Sequence, residues 1–380
     1  MAKKSIRKPV NPFIYAGYVS PEYFCNRTEE TENLISNLQN GRNTTLIAPR
    51  RIGKTGLIWN VFHRLKSIEK DAVCVYVDIF STKNQHEFVQ MLGTAIVQQA
   101  LTLERQAMKR LMEFFGAWRP VFSTDPVTGV PTVSLSMEPR QSDVSLKAVF
   151  DYLQQIKRPV YVGIDEFQQI ANYSEPGTEA LLRSYMQFAT NVRFIFSGSK
   201  LHMMAEMFNS PGRPFYQSTV SMGLSPIHEE IYYDFASRFF EAKKGSLSKE
   251  SFHVIYHTFD GITFNVQQIL NRLYETERHV DSQQQVSEAI QHVVNNNSMQ
   301  YEGLVSFLTV NQLSLLKAIA KAGIVSSPQS AEFIKRYDLP SASSTKTALE
   351  MLLDKELVYH QTSGYMVYDR FLALWLKRLP

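Results

Sequence analysis

Hydrophobic positions in the first half of the chain follow two spacings in alternation. Short continuous apolar runs predict buried strands, and longer stretches with apolar residues three or four positions apart predict helices. The predicted strands span residues 44–48, 73–80, 160–164 and 192–196, and the predicted helices span residues 53–65, 85–115, 145–156 and 178–189. This alternation predicts an α/β fold in which helices cover a parallel sheet.

Three other patterns divide the rest of the chain. Residues 119–137 place β-branched residues around a Pro/Gly turn, which predicts a hairpin inserted in the helical layer. From about residue 226 helical spacing replaces the strands, which predicts a helical lid that ends at a polar linker, residues 295–298. Three helical patterns and a two-stranded wing follow and predict a winged helix. Its helices are expected at residues 311–321, 328–337 and 341–354.

The length and composition agree with this division. A chain of 380 residues is long enough for two or three domains, and the predicted domains span residues 1–225, 226–300 and 304–380. With 44% hydrophobic and 20% charged residues, the composition excludes a disordered chain, a collagen-like fibre and a disulfide scaffold. The net charge of +4 does not by itself indicate nucleic-acid binding, because phosphate neutralisation requires clustered positive charge.

Cysteine usage and the N-terminus bear on the cellular compartment. Cys25 and Cys74 are expected to be reduced thiols, with Cys74 inside a predicted strand. The basic N-terminal residues are followed by Pro9 and not by an apolar core, so we expect no signal peptide. No apolar run approaches the roughly 18–20 residues that span a bilayer. These features predict a cytoplasmic protein without a membrane partner.

A candidate phosphate-binding loop joins the first predicted strand to the first predicted helix. Residues 48–55 match the pattern G-x-x-x-x-G-K-[ST], except that Ala48 replaces the first glycine. Such a loop directs backbone N–H groups at phosphates beside a helix N-terminus. Gly53 would permit close backbone approach, Lys54 would reach the β- and γ-phosphates, and the Thr55 hydroxyl would ligate Mg²⁺. The alternative is a chance Gly-Lys-Thr at an ordinary strand–helix junction.

Polar residues end the next two predicted strands of the sheet. Asp165 is expected to hold Mg²⁺ and Glu166 to orient the attacking water, although a solvated strand end could carry the same pair. Ser197 ends the following strand, at the edge where ligands of open α/β sheets bind. Its hydroxyl contacts the γ-phosphate or the water in one interpretation, and caps the next helix in the other. Arg50 and Arg51 flank the phosphates, either as solvated cations or in contact with nucleotide or a neighbouring subunit.

Taken together, these motifs resemble a known family, the STAND group of prokaryotic AAA+-type ATPases. The resemblance is to its archaeal/bacterial ATPase branch, which couples a P-loop domain to a C-terminal winged helix. It covers nearly the whole chain and is carried by residues 11–13, 24–27, 30, 34, 49–55, 164–167, 196–199, 207–208, 213–216 and 371–375.

The resemblance implies ATP with Mg²⁺ as the ligand, and no Asn-Lys-x-Asp motif for guanine is evident. It implies that residues 23–27 lie near the adenine, that Ser197 is a sensor, and that Arg213 contacts the γ-phosphate or forms a loop salt bridge. The implied nucleotide-binding residues are Asn26, Arg27, Pro49, Arg50, Arg51, Ile52, Gly53, Lys54, Thr55 and Gly56. The implied metal ligands are Thr55 and Asp165, and the implied catalytic residues are Glu166, Ser197 and Arg213.

Three functions are compatible with these observations. The leading hypothesis is a slow Mg²⁺-dependent ATPase that acts as a molecular switch, in which nucleotide state controls the domain arrangement. Weak coupling of lid closure to hydrolysis is expected because residues 261–266 lack the arginine of a second sensor. The alternatives are an ATP-regulated DNA-binding protein and a nucleotide-stabilised scaffold for a protein partner or for self-association.

The winged helix and the histidines offer weaker signals. From Lys335 to the C-terminus there are seven basic and five acidic residues, a net charge of +2 that is small for a protein that binds duplex DNA. Protein contact is the favoured role, and the residues expected to anchor the winged helix against the ATPase domain are Phe371, Leu374 and Trp375. Four histidines are expected to lie at the surface or to be satisfied internally, without the paired spacing of a zinc site: His253, His257, His279 and His292.

Overall fold

In the computed structural model, the four predicted strands and a fifth form one parallel sheet, which confirms the α/β fold. The structure describes residues 8–103, 119–124, 131–136, 142–361 and 363–379, with side chains outside 100–145. The sheet contains β1 (Thr44–Ile47), β2 (Val73–Asp78), β5 (Val160–Asp165), β6 (Val192–Gly198) and β7 (Val220–Gly223). Its order is β2-β5-β6-β1-β7. A separate antiparallel pair joins β3 (Arg119–Thr124) to β4 (Pro131–Ser136).

Helices cover both faces of the sheet because its strands are apolar on both sides. They are α1 (Thr28–Gln39), α2 (Lys54–Ile68), α3 (Gln85–Leu103), α4 (Ser142–Gln155), α5 (Thr178–Phe188) and α6 (Leu201–Asn209). One core layer packs α1 and α2 on the sheet, and the other packs α3 to α6. The end of the helix predicted at 85–115, the turn of the hairpin and its last residue, 137, lie outside the described residues.

The strand register brings the candidate residues to one edge of the sheet. Asp165 lies beside Asp78 of β2, and Ser197 lies beside Leu46 of β1, just before the candidate phosphate loop. Because all these strands are parallel, their carboxyl ends meet at that edge. The fold therefore assembles in one place the motifs that are far apart in the sequence.

The second unit of the chain combines residues 228–379 with Lys8–Tyr15. Its helices are α7 (Glu229–Ala242), α8 (Lys249–Thr258), α9 (Thr263–Thr276), α10 (Gln283–Asn296), α11 (Ser298–Ser306), α12 (Val310–Ala322), α13 (Ala331–Arg336), α14 (Ala342–Asp354) and α15 (Arg370–Leu376). Its strands are β8 (Ser246–Leu247), β9 (His279–Val280), β10 (Val358–Gln361) and β11 (Gly364–Val367). Helices α12 to α14 followed by the antiparallel β10–β11 pair form the winged helix.

The N-terminal segment is held in this unit by aromatic packing and side-chain amides. Phe13 is fully buried, and its ring lies 5.7 Å from that of Phe239 and 5.6 Å from that of Tyr274. The Asn11 amide donates to the carbonyl of Asn271, whose own amide donates to the carbonyl of Phe13. These reciprocal amide bonds satisfy the carbonyls of Asn271 and Phe13 and hold the N-terminal segment against α9.

The structure corrects three expectations about secondary structure. Residues 295–298 are no linker, because only Asn297 separates α10 from α11. Strands do not disappear beyond residue 226, since β8 and β9 pair in parallel. The strand predicted at 73–80 ends at Asp78, whose carboxylate accepts a hydrogen bond from the Phe80 N–H at 2.9 Å and turns the chain.

The anchors predicted in the last helix pack within the second unit. The Phe371 ring lies 4.7 Å from that of Phe259, and the Trp375 ring lies 5.8 Å from that of Tyr301. Leu374 is only partly buried. Phe371 and Trp375 therefore join the winged helix to the helices that precede it. Among the described residues, no helix has both the length and the apolar character needed to cross a bilayer.

Candidate nucleotide-binding site

The candidate phosphate loop connects β1 to α2 through two left-handed residues. Arg51 has φ 66°, and Gly53 has φ 102° at the N-cap of α2. Gly53 is needed because side chains other than glycine are strained in that conformation. A Cβ atom placed on Gly53 would meet nothing within 4 Å, so the loop is open on that side. The sequence forms an open loop at the positive end of a helix, which suits an anion.

The buried Lys54 side chain binds the backbone at the start of the loop. Its Nζ donates hydrogen bonds to the carbonyls of Ala48 at 2.7 Å and Pro49 at 2.9 Å. Burial lowers the pKa of Lys54 to about 8, although the negative charges of Asp165 and Glu166 oppose this shift. The ammonium group is thus buried and incompletely neutralised, and an added phosphate would stabilise its charge.

This depressed pKa predicts a pH dependence of ATP affinity. A bound phosphate raises the pKa of Lys54, so binding takes up a proton wherever free Lys54 is neutral. Affinity should be nearly constant below about pH 8, the pKa in the free protein, and should fall as the pH rises beyond it. Calorimetry in two buffers of different ionisation enthalpy would measure the proton uptake. An affinity that stays constant to about pH 9.5 would contradict the role given to Lys54.

Asp165 is fixed at the end of β5 by three donors. The Thr55 hydroxyl donates to Asp165 Oδ2 at 2.7 Å, and the Tyr76 hydroxyl donates to the same oxygen at 2.9 Å. The backbone N–H of Glu166 donates to Oδ1 at 3.0 Å. The structure therefore brings together Thr55 and Asp165, the two predicted metal ligands. Sequence reasoning did not predict Tyr76, because its contact depends on the pairing of β2 with β5.

Glu166 is held in an unusual backbone conformation next to Asp165. Its φ is 55°, which costs a residue with a side chain about 1–2 kcal/mol and is often found at functional sites. Its Oε2 accepts hydrogen bonds from the Gln168 amide and, at 2.7 Å, from the Ser199 hydroxyl. Ser199 in turn accepts a hydrogen bond from Arg50 Nε at 3.2 Å. These two hydrogen bonds connect the Glu166 carboxylate, through Ser199, to Arg50 of the phosphate loop.

Ser197 and Ser199 have different surroundings at the end of β6. Ser197 is fully buried, and its hydroxyl has no hydrogen-bond partner within the part of the chain that the structure describes. Helix α6 has Lys200 at its N-cap without a side-chain cap, so the interpretation of Ser197 as a capping residue is wrong. Ser199 was not predicted, yet its hydroxyl contacts Glu166 and Arg50.

A third carboxylate lies at the same edge of the sheet. Asp78 is aligned with Asp165 in the pairing of β2 with β5. Burial raises the pKa of Asp78, as do the negative charges of Asp165 and Glu166, while the Phe80 N–H bond opposes the shift. Sequence reasoning missed Asp78 because the predicted strand continued beyond it. Three carboxylates beside a buried lysine favour the binding of a cation at this edge.

The segment before α1 lies against the phosphate loop. Arg27 is buried, and its guanidinium donates to Glu30 Oε1 at 2.7 Å and to the Ile52 carbonyl at 3.2 Å. A Cβ atom on Gly56 would stand 3.0 Å from the ring of Phe24, so glycine allows that ring to approach α2. Asn26 accepts a hydrogen bond from the hydroxyl of the neighbouring Thr28. The contact of residues 23–27 with adenine stays a prediction.

Arg213 is engaged by two carboxylates on neighbouring helices. Its guanidinium lies 2.6 Å from Glu179 Oε1 of α5 and 3.6 Å from Glu206 Oε1 of α6. Burial raises the pKa of Glu179, and the charge of Arg213 opposes that shift. This arrangement favours the loop salt bridge over contact with the γ-phosphate.

The fold and this site define a class of protein. A parallel sheet that places a Gly-Lys-Thr loop beside a strand ending in two carboxylates belongs to the P-loop ATPases. The family model of an ATPase domain predominantly from Archaea matches residues 24–269, well over half of the chain. The chain belongs to this family. A second family model, described as a probable winged helix domain, matches residues 299–378.

Solved structures with this fold cover nearly the whole chain. A Walker-type ATPase of Pyrococcus abyssi is 16% identical, with a TM-score of 0.64 over 96% of this chain and 99% of the other. The ORC2 protein of Aeropyrum pernix, solved in ADPNP–ADP complexes, is 17% identical, with a TM-score of 0.62 over 97% and 96%. At these identities the likeness shows the fold alone. A search of the curated proteins found no match.

Proposed function

We propose that this chain is a Mg²⁺-dependent ATPase in which nucleotide state controls the arrangement of the domains, a molecular switch of the STAND type. The observation that carries the proposal is the convergence of Lys54, Thr55, Asp165 and Glu166 at one sheet edge. Membership in the ATPase family and the ADPNP and ADP of the ORC2 structure support ATP and ADP as ligands.

Each residue has a distinct task in this proposal. The phosphate loop binds the phosphates through its backbone, and Lys54 supplies a buried positive charge to them. Thr55 and Asp165 fit Mg²⁺, because both supply the oxygen ligands that this ion prefers and their oxygens are 2.7 Å apart. When bound, the ion would neutralise charge on the phosphates. Glu166 orients a water molecule and accepts its proton.

Hydrolysis should be slow. Residues 261–266 contain no arginine that could act as a second sensor, and Arg213 is engaged by Glu179 and Glu206. Charge on the γ-phosphate in the transition state would thus be stabilised by Lys54, by the loop with Arg50 and Arg51, and by a bound Mg²⁺, without a contribution from Arg213. Because an arginine at the γ-phosphate contributes a factor of roughly 10³–10⁵ in other P-loop enzymes, the engagement of Arg213 by two carboxylates fits a switch better than a fast enzyme.

The test is direct measurement of nucleotide binding and turnover on the full chain. ATP should bind more tightly with Mg²⁺ than with EDTA, and phosphate release should require Mg²⁺ and follow single-site kinetics. GTP serves as the matched control, since it has the same phosphates and a different base. If ATP binding is absent in both conditions, the proposal fails. Binding without measurable turnover would instead support the nucleotide-stabilised scaffold.

The winged helix supports a second candidate function, DNA binding under nucleotide control. Helix α14 exposes Ser343 and Thr347, and Ser341 is exposed at its N-cap; such hydroxyls suit phosphate contacts. However, Lys346, the lysine of this helix, lies 4.0 Å from Glu350. Little positive charge is therefore available to phosphates on this helix, and protein contact stays our preferred role.

We expect any affinity of the full chain for duplex DNA to be micromolar or weaker. It should also fall steeply with salt, because a contact made mainly with phosphates depends on counterion release. Fluorescence anisotropy at two salt concentrations, with and without ATP, measures both properties. A nanomolar, sequence-dependent complex at physiological salt would overturn the preference and make the protein a DNA-binding regulator.

A further inference from the structure

A cluster of metal-ligating side chains lies in the second unit, apart from the nucleotide site. His253 and His257 are four residues apart on α8, and Glu229 is the first residue of α7. Each offers one ligand atom, and these atoms lie within 4.8 Å of one another. The expectation that these histidines lack the paired spacing of a zinc site is therefore wrong. Residues at i and i+4 share one helix face, and α7 places a carboxylate over that face.

Each histidine nitrogen already lies within hydrogen-bond distance of the Glu229 carboxylate. His253 Nδ1 lies 2.8 Å from Glu229 Oε1, and His257 Nε2 lies 2.9 Å from Glu229 Oε2. Zinc with nitrogen ligands at about 2.0–2.1 Å places its ligand atoms somewhat farther apart than a hydrogen bond does. Small side-chain rotations would therefore admit an ion in place of the bridging protons. Both rings are more than half exposed, so such rotations meet little resistance.

The surroundings favour a cation. Beside the cluster, a surface cavity of about 710 Å³ is lined by Glu229, Glu230, Asp234 and Glu250 as well as by His253. Lys249 also lines it, but its ammonium lies over the ring of Tyr233 at 5.6 Å. The positive end of the α7 dipole opposes the binding of a cation at Glu229, and the three further carboxylates offset it.

We propose that Glu229, His253 and His257 form a binding site for a divalent transition-metal ion of the zinc type. Two imidazoles and one carboxylate are a recurrent zinc ligand set, and three protein ligands leave the fourth position to water. The ion would join the start of α7 to α8. It would thereby stabilise the fold of the second unit, because a site that exists only in the folded state links metal binding to folding.

The test uses the full, untagged chain after treatment with chelator, with Zn²⁺ as the probe. Calorimetry should show one equivalent bound per chain, and thermal unfolding should move to a higher temperature with Zn²⁺ and return with EDTA. Co²⁺ should give visible absorption of the intensity typical of tetrahedral coordination. Acidification should weaken binding, since protons compete for the imidazole nitrogens.

Variants decide whether this cluster is the site. His253→Gln and His257→Gln should each weaken Zn²⁺ affinity by more than about tenfold. Loss of a residue that only supports a zinc ligand already weakens affinity about tenfold, and loss of a ligand itself should cost more. The matched control is His292→Gln, which replaces an exposed histidine on α10. This variant should bind Zn²⁺ with the affinity of the parent. Circular dichroism establishes that each variant folds. Parental affinity in both cluster variants, or no saturable binding to the parent, would overturn the proposal.

Discussion

Replacing Lys54 with alanine is expected to lower the affinity for ATP at least about 100-fold, because charge-assisted hydrogen bonds to phosphate contribute about 1.5–3 kcal/mol each. Lys54 is 6% exposed, donates hydrogen bonds to two carbonyls of the loop, and interacts with the negative charges of Asp165 and Glu166. No solvent ion can replace a charge that is buried at this position. The loss should therefore appear as weaker binding of both ATP and ADP.

The effect on folding should be much smaller than the effect on binding. The substitution removes a buried ammonium, which is costly in the free protein, but it also removes the donor to the carbonyls of Ala48 and Pro49. These two consequences oppose each other, so we expect the free energy of unfolding to change by less than about 2 kcal/mol. Urea unfolding of the nucleotide-free variant measures this change.

Two further variants separate charge from volume and position. Lys54→Met keeps most of the aliphatic chain and should lose ATP affinity as the alanine variant does. Lys66→Ala removes an exposed lysine from the same helix and should leave ATP affinity unchanged. Calorimetry on all three decides the assignment. If Lys54→Ala binds Mg·ATP as tightly as the parent, residues 48–55 do not form the phosphate site.

The strands of the sheet that are buried on both faces could be predicted from the sequence. Continuous apolar runs identify β1, β2, β5 and β6, since burial on both sides demands them. β7 was missed because it has four residues, is exposed or partly exposed at each of them, and ends in Gly223. Strand β7 forms because residues 220–223 pair with β1, beginning with Val220 beside Thr44. Backbone pairing leaves no mark on side-chain periodicity.

The candidate site shows the same division. Lys54, Thr55, Asp165 and Glu166 lie in local motifs whose spacing already indicates their chemistry, and the structure brings them together. By contrast, the contacts of Tyr76, Asp78 and Ser199 arise from strand register and loop conformation, which no local pattern predicts.

The metal-ligating cluster shows both kinds of information at once. The four-residue spacing of His253 and His257 is present in the sequence and indicates a shared helix face. Glu229, however, precedes them on another helix and reaches them through the packing of α7 against α8. Sequence reasoning could therefore have found the two histidines, but the third ligand is a product of tertiary structure.

Replacing Glu166 with glutamine is expected to preserve ATP binding and to slow hydrolysis by roughly 10²–10⁴-fold, the usual cost of losing a general base. The amide has the shape of the carboxylate and can still accept a hydrogen bond from Ser199, so the left-handed turn at residue 166 should persist. It cannot accept a proton from water at neutral pH. Binding and turnover should thus separate in this variant.

The measurements are ATP affinity by calorimetry and single-turnover phosphate release with Mg²⁺. Glu32→Gln is the matched control: it neutralises an exposed carboxylate on α1 and should change neither quantity. Lys54→Ala, purified in the same way, should not bind ATP, so any ATPase activity in its preparation measures contamination by other enzymes. A rate in Glu166→Gln that exceeds this background and equals that of the parent would assign the base to another group.

Ser199→Ala distinguishes a positioning role from a merely structural one. Without the Ser199 hydroxyl, Glu166 Oε2 loses a donor at 2.7 Å, and the link to Arg50 is broken. The carboxylate keeps its ability to accept a proton but loses its fixed orientation, so kcat should fall by about tenfold while KM and unfolding temperature stay near those of the parent.

The double variant Ser199→Ala/Glu166→Gln should then be no slower than Glu166→Gln alone, because a positioning residue has no effect once the group that it positions cannot act. Additive losses in the double variant would show that Ser199 contributes to hydrolysis independently of Glu166, by contacting the nucleotide or the water itself.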